Sequence, residues 1–208
     1  MILKAEKISK SYGNEKIFEN ITFSAESGDS IVITGDSGRG KSTLISVLGI
    51  ILQPDAGDIF LDGKNITVLG DKEKSKIRNW NFGYMFQHTQ LIGSANVLEN
   101  VLVPTLSAGK KGMENHAEKL LAELGLSDRM YHYPHQLSIG QKRRVTLARA
   151  LIMDPDIVFA DEPTNDLDKE NSEIVAEKLF GITERGKTLV LVTHDSKLTK
   201  KAGSSLRL

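Results

Sequence analysis

Apolar and polar positions alternate from the first residues, with the two-residue period of strands. Leu3 to Ile8, Ile17 to Ala25 and Ser30 to Thr34 read as strands, with a turn near Gly13 and Asn14. After a Gly-rich stretch the period lengthens, and residues 41–52 read as a helix. GDIFLDGKNI gives two short strands around Asp62 and Gly63, and the Lys-rich run from Asp71 to Arg78 gives a solvated helix face. Asn81 to Phe86 is the next strand, ending at Gln87. From Ala95 to about Leu126 the pattern is helical, with breaks expected at Pro104 and around Gly109 to Gly112. Tyr131 to His135 reads as a loop, and Ser138 caps a helix that runs to about Met153. Strand Ile157 to Ala160, helix Lys169 to Gly181 and strand Thr188 to Thr193 follow, then a polar tail. Strands alternating with helices imply an α/β protein with a mainly parallel central sheet. The block between Gln87 and Leu137, without a convincing strand, reads as a helical lobe.

Composition changes this picture little. The 208 residues suit one domain, or one domain with a sub-lobe. Lys and Arg number 27 and so do Asp and Glu, so net charge gives no pointer to nucleic acid or an anionic membrane. There is no Cys, which excludes disulfides and thiol chemistry. The longest apolar run, Leu44 to Leu52, is interrupted by Ser46 and Gly49, far short of the roughly 20 residues that span a bilayer. The charged, alternating N-terminus reads as neither signal nor anchor.

Candidate chemistry begins at Gly35-Asp36-Ser37-Gly38-Arg39-Gly40-Lys41-Ser42, which matches G-x-x-x-x-G-K-[ST] between an apolar strand and an apolar helix. Glycines let consecutive N–H groups turn inward on phosphate oxygens, and the helix N-terminus adds about half a positive charge. Lys41 is placed to reach the β- and γ-phosphates, and the Ser42 hydroxyl to bind Mg²⁺. The chain is expected to bind a nucleoside triphosphate, which kinases, GTPases and transport ATPases all do.

Four strands end in polar groups: Thr34 before the loop, Phe86 before Gln87, Ala160 before Asp161-Glu162, and Thr193 before His194. In an open parallel sheet these ends converge on one crevice. Asp161 suits Mg²⁺. Glu162 beside it can polarise a water for in-line attack, a contribution of about 10²–10⁴-fold. His194 is read as a γ-phosphate contact, although a His after a strand is more often a plain loop residue. No N-K-x-D element supports a GTPase, and no acceptor site or lid supports a kinase. Tyr12 either stacks on an adenine ring or is a half-buried residue at a strand edge.

Together these stretches resemble the nucleotide-binding subunit of ABC (ATP-binding cassette) transporters over nearly the whole chain. Tyr12 corresponds to the aromatic A-loop, GDSGRGKST (with Thr43) to the P-loop, and Phe86-Gln87 to the Q-loop. LSIGQ at 137–141 corresponds to the signature, DPDIVFADEP to Walker B, NDLD at 165–168 to the D-loop, and TLVLVTHD to the H-loop. The resemblance implies a P-loop NTPase fold with a small antiparallel β subdomain and an inserted helical subdomain at about 89–150, all within one domain of residues 1–208. It implies ATP and Mg²⁺ as cofactors, with Ser42, Gln87 and Asp161 at the metal. It further implies a head-to-tail dimer, homomeric or heteromeric, in which Ser138 donates its hydroxyl and Gly140 its backbone N–H to the partner's nucleotide, with Gln141 and Asp168 also expected to bind nucleotide. Lys142, Arg143 and Arg144 are expected on a solvated helix face. Ile139 stands where the family usually has Gly, a substitution harmful only if that position needs φ > 0.

Finer likenesses in LGIILQPDAGDIFLDGKNI, in the segment around Gln87 and in DEPTNDLD point to the bacterial branch of lipoprotein-release, macrolide-export and antimicrobial-peptide ATPases. That branch implies a cytoplasmic subunit on the inner face of the cell membrane, driving a separate integral membrane permease by export or force transmission. After Gln87, at the segment beside which the permease docks in that family, this chain reads IGSANV rather than the usual stretch. No nucleic acid partner and no regulatory C-terminal domain are expected. The alternatives are a soluble ABC-type ATPase outside transport, or an ATP-dependent dimerisation module with little turnover.

Overall fold

A computed structural model describes residues 1–36 and 38–208; Ser37 lies outside the described residues. The alternating N-terminus forms β1 (Ile2–Tyr12), which buries Leu3, Ala5 and Ile8. The period slips between Ala5 and Ile8 because Lys7, at φ 49°, is the extra residue of a bulge opposite β2 (Glu15–Glu26). With β4 (Ala56–Leu61) and β5 (Lys64–Asn65) these strands make an antiparallel sheet ordered β2-β1-β4-β5.

A second sheet is parallel throughout. It comprises β6 (Phe82–Met85), β7 (Ile157–Asp161), β8 (Thr188–Val192), β3 (Ser30–Thr34) and β9 (Ser204–Arg207), in that spatial order. Its central strands β7 and β8 are buried at every residue, as a sheet covered on both faces requires. Ile33, Ile157, Phe159 and Val192 point towards α1 (Lys41–Leu48) and the antiparallel sheet. Val32, Val158, Ala160 and Leu191 point the other way, into a core shared with α3 (Val97–Ser107), α4 (Glu114–Glu123), α5 (Ile139–Leu151) and α6 (Lys169–Phe180).

Three local expectations are corrected. Helix α3 passes through Pro104 instead of breaking there. Its start is fixed by a reciprocal cap between Asn96 and Glu99, and its buried Val97 and Val101 anchor it, so the loss of one late N–H is tolerated. The polar tail is structured, as a short α7 (Ser196–Lys201) and then β9. β9 joins the sheet edge by backbone pairing with β3, which needs little apolar side chain. On α2 (Asp71–Asn81), Lys74 turns inward and donates to Gln53 Oε1 at 2.6 Å, while the other lysines stay exposed.

α2 and α3 face each other across a groove of about 420 Å³, lined by Arg78 and Asn79 on one wall and Val103 and Pro104 on the other. Lys110, just beyond α3, places its ammonium 5.8 Å from the centre of the Trp80 ring on α2. No helix among the described residues is long and apolar enough to cross a membrane.

Candidate functional site

The parallel order β6-β7-β8-β3 carries four strand ends to one side, and the loops that follow them enclose a cavity of about 470 Å³. Gly38, Gly40, Lys41, Ser42 and Thr43 line it from the P-loop; Gln87, Asp161, Glu162, Asn165 and His194 line it from the other loops. Gly40, at φ 82°, caps α1, and a β-carbon there would collide with Ile17 Cγ2. Only Gly satisfies both the left-handed backbone and that approach. Lys41 is 6% exposed, and its ammonium donates to the carbonyls of Gly35 at 2.9 Å and Asp36 at 2.8 Å. Arg39 is exposed, 3.9 Å from Asp36.

Asp161 ends β7 almost fully buried, and its Oδ1 has no hydrogen-bond partner among the described residues. Burial pushes its carboxyl above the ordinary carboxylate range, opposed by the Ser42 hydroxyl and the charges of Lys41 and Arg143. A buried carboxylate oxygen without a partner is costly unless a cation takes it. Ser42, Gln87 and Asp161 share the cavity and offer oxygens only, the donor set of a hard cation that completes its shell with phosphate and water.

Glu162 lies next, at φ 46°, a conformation that costs a non-Gly residue about 1–3 kcal/mol and clusters at functional sites. Its N–H donates to Val192 O at 2.8 Å, which locks the turn onto β8. The carboxylate is largely enclosed and faces His194: Oε1 lies 3.3 Å from the imidazole Nε2, and Oε2 accepts from the His194 backbone N–H, also at 3.3 Å.

The remaining expected residues stand outside the cavity lining. Tyr12 closes β1, 51% exposed, with Lys10 Nζ 5.9 Å from its ring centre. Ser138 and Gln141 cap α5 reciprocally: the Ser138 hydroxyl accepts from Gln141 N–H at 3.2 Å, and Gln141 Oε1 accepts from Ser138 N–H at 2.9 Å. Ile139 occupies the first helical position and is 58% exposed. Its backbone is ordinary helix, not left-handed, so the branched side chain introduces no strain. Gly140 is pressed against Asn171, whose side-chain carbon would lie 2.6 Å from an added β-carbon. Asn171 is itself held by Asp168, which accepts from its N–H at 2.9 Å and from its Nδ2 at 2.6 Å. These two hydrogen bonds draw the Asp168 carboxyl below its usual range. The signature and D-loop of one chain are therefore in contact through a single asparagine.

The expectation of a solvated cationic face on α5 fails. Arg143 is 3% exposed and donates to Phe86 O at 2.8 Å, while Arg144 donates to Leu124 O at 2.7 Å. Arg143 follows buried Gly140 by three residues and precedes buried Leu147 by four, so helical spacing places it on the inward face. That spacing is the signal in the sequence that finds it. Asn165 heads the NDLD stretch, whereas Asn171 carried no comparable signal.

The sequence pattern described as ABC transporter matches residues 18–165. The chain belongs to the ABC transporter family. It is 41% identical over 202 residues to the lipoprotein-releasing system ATP-binding protein LolD of Bacteroides thetaiotaomicron, covering 96% of this chain and 93% of that one. It is 40% identical over 188 residues to the macrolide export ATP-binding/permease protein MacB of a Shewanella strain, covering 89% of this chain and 29% of that longer protein. Among solved structures, a dimeric bacterial ABC transporter cassette superposes with a TM-score of 0.93 at 33% identity, covering 99% of this chain and 94% of that one. A dimeric cassette in a post-hydrolysis state, bound to ADP and Pi, gives a TM-score of 0.92 at 32% identity over the same shares. The expected fold, with its central parallel sheet, antiparallel sheet and helices, is the fold of these ABC cassettes.

Proposed function

We propose that this ABC-family ATPase subunit closes head to tail with a second cassette around two Mg-ATP, and that closure and hydrolysis drive a separate membrane protein. One observation carries the reading. Lys41, Gln87, Asp161, Glu162 and His194 line a single cavity, while Ser138 and Gly140, the other phosphate-directed groups of the sequence, do not line it. A chain with a site so divided needs a second copy, or a close relative, to complete each nucleotide pocket. The dimeric cassettes similar to it support that reading.

In this reading residues 1–208 act as one cassette with a helical sub-lobe at about 89–150. P-loop amides, Lys41 and the α1 N-terminus bind the triphosphate. Gly35, Asp36, Gly38, Arg39 and Gly40 form the loop that wraps it, Thr43 joins them from the first turn of α1, and Tyr12 stacks on the adenine. Ser42, Gln87 and Asp161 would hold Mg²⁺, which would supply positive charge against the phosphoryl group as it transfers. Glu162 orients and deprotonates the attacking water, His194 holds Glu162 and the γ-phosphate, and the water attacks in line to release phosphate. Ser138, Gly140 and Gln141 reach the partner's γ-phosphate, and Asp168 orders the loop between the two sites.

The groove between α2 and α3, floored by Tyr84 and Phe86, receives the membrane permease at the inner face of the membrane. Likeness to LolD and MacB supports the export or force-transmitting branch. The test uses Glu162→Gln protein in light-scattering chromatography with and without Mg-ATP. Mass should move from 22.9 kDa towards twice that value. A persistent monomer with ATP bound would overturn the two-chain site.

A further inference from the structure

Helix α2 divides its cations by face. Lys74 and Arg78 turn inward, Lys74 to Gln53 Oε1 at 2.6 Å and Arg78, through Nη1, to Ile50 O at 3.1 Å. Lys72, Lys76 and Trp80 recur every four residues on the opposite side, and all three are exposed. Lys110, which follows α3, brings its ammonium to 5.8 Å from the centre of the Trp80 ring, and exposed Lys111 is the next residue.

None of these four lysines has a carboxylate within 4 Å among the described residues. The chain as a whole offers enough acids, since Lys and Arg together number 27 and so do Asp and Glu. The two carboxylates of α2 lie in its first turn, where the helix dipole favours them. Asp71 precedes Arg78 by seven residues and shares its side, and Glu73 lies 3.9 Å from Lys64. The outer stripe is therefore a local band of uncompensated positive charge with an indole set in it. It runs along about 12 Å of helix from Lys72 to Trp80, so it suits a surface of many anions and not one phosphate. An indole with an apolar ring and a polar N–H is at home at headgroup depth.

We propose that this stripe, Lys72, Lys76, Trp80, Lys110 and Lys111, rests on anionic lipid headgroups, so that the bilayer is a second contact beside the permease. The inference rests on the proposed seating of a permease between α2 and α3, because Arg78 and Asn79 of the same helix line that groove. A lysine near an anionic surface gains about fivefold in partitioning, so four give a preference of about 10²–10³-fold over neutral lipid. Lipid contact of this strength is weak alone and adds to any permease contact by raising the effective concentration at the membrane.

The test is flotation of the full-length protein with vesicles that carry no other protein. Phosphatidylcholine vesicles with about one-third phosphatidylglycerol should retain it at least about 10²-fold better than phosphatidylcholine alone at low salt. Salt at about 1 M, where the Debye length is about 3 Å, should release it. Lys72→Gln with Lys76→Gln should lower retention about 25-fold. Lys197→Gln with Lys200→Gln, an equal loss of charge from exposed positions on α7, should lower it by less than about twofold. Acylation of amines, read by mass spectrometry, should slow on anionic vesicles at Lys72, Lys76 and Lys111 and not at Lys197 or Lys200.

Equal effects of the two lysine pairs, uniform slowing of acylation, or no flotation overturns the proposal. Tighter binding to a single-stranded oligonucleotide than to anionic vesicles at the same salt also overturns it, and assigns the stripe to nucleic acid. The vesicles hold no permease and the run needs no ATP, so failure to float cannot come from the groove or from the nucleotide site. Protein that floats while Glu162→Gln stays monomeric with ATP keeps the lipid contact and loses the two-chain reading; protein that dimerises without floating does the reverse.

Discussion

Glu162 and His194 face each other across the end of the parallel sheet, with Oε1 3.3 Å from Nε2 and the His194 backbone N–H directed at Oε2. One residue thus orients the carboxylate twice, from its side chain and from its main chain. Glu162→Gln preserves the shape and the turn and removes the proposed base. Phosphate release should fall by about 10²–10⁴-fold while ATP affinity holds. His194→Ala should lower kcat less, because the backbone N–H remains in place. Equal losses in the two variants would contradict this division.

Gly140→Ala tests the contact between signature and D-loop. The added methyl meets Asn171 at under 3 Å, and overpacking of this kind costs about 1–3 kcal/mol. Melting temperature and turnover should both drop. Asn171→Ser in the same chain should restore stability more than turnover, because it relieves the clash and discards the side-chain bond to Asp168. No recovery of melting temperature would mean the methyl clashes elsewhere.

Ile139→Gly returns this position to the residue usual in the family. The backbone there is already helical, so glycine adds freedom to the unfolded chain and relieves nothing. Stability should fall by about 0.5–1 kcal/mol in chemical denaturation. ATP-driven dimerisation of Glu162→Gln should change by less than about twofold. A gain of tenfold would show that Ile139 obstructs closure.

A pH effect is expected where α4 meets α6. Lys178 donates to Glu123, and this bond, helped by the charges of Lys178, Arg185 and His116, holds the Glu123 carboxyl below its ordinary value of 4.5. A depressed carboxylate stabilises the fold at pH values above 4.5, and that contribution fades as pH falls through the folded value. The Glu123 side chain is 56% exposed, so screening keeps the effect to about 0.2–1 kcal/mol. Glu123→Gln should be less stable than the parent at neutral pH in urea, and the gap should close in strong acid. A gap independent of pH would assign it to packing.

How much was legible follows from which forces leave a trace in residue order. Strands β7 and β8 and the P-loop context were readable because burial on both faces and a tight phosphate turn constrain composition directly. β9 was not, since Ser204 to Arg207 pair through the backbone at an edge and bury little. Pro104 misled because an anchored helix overrides a local breaker. The cavity residues fell at the ends of apolar strands, and their convergence follows from parallel topology. Arg143 was misread because a run of three cations suggests solvent, although its spacing from Gly140 already placed it inward. Asn171 acts across a tertiary contact with Gly140 and leaves no periodic trace.

The chain has one tryptophan, and it stands on α2 with the ammonium of Lys110, which follows α3, 5.8 Å from its ring centre. Any separation of α2 from the segment that follows α3 withdraws a cation from the indole face and changes the field its excited state feels. The protein therefore carries its own optical gauge. A seated partner, or a lobe that swings, will register as a shift in native ultraviolet emission, with no dye attached and no residue changed.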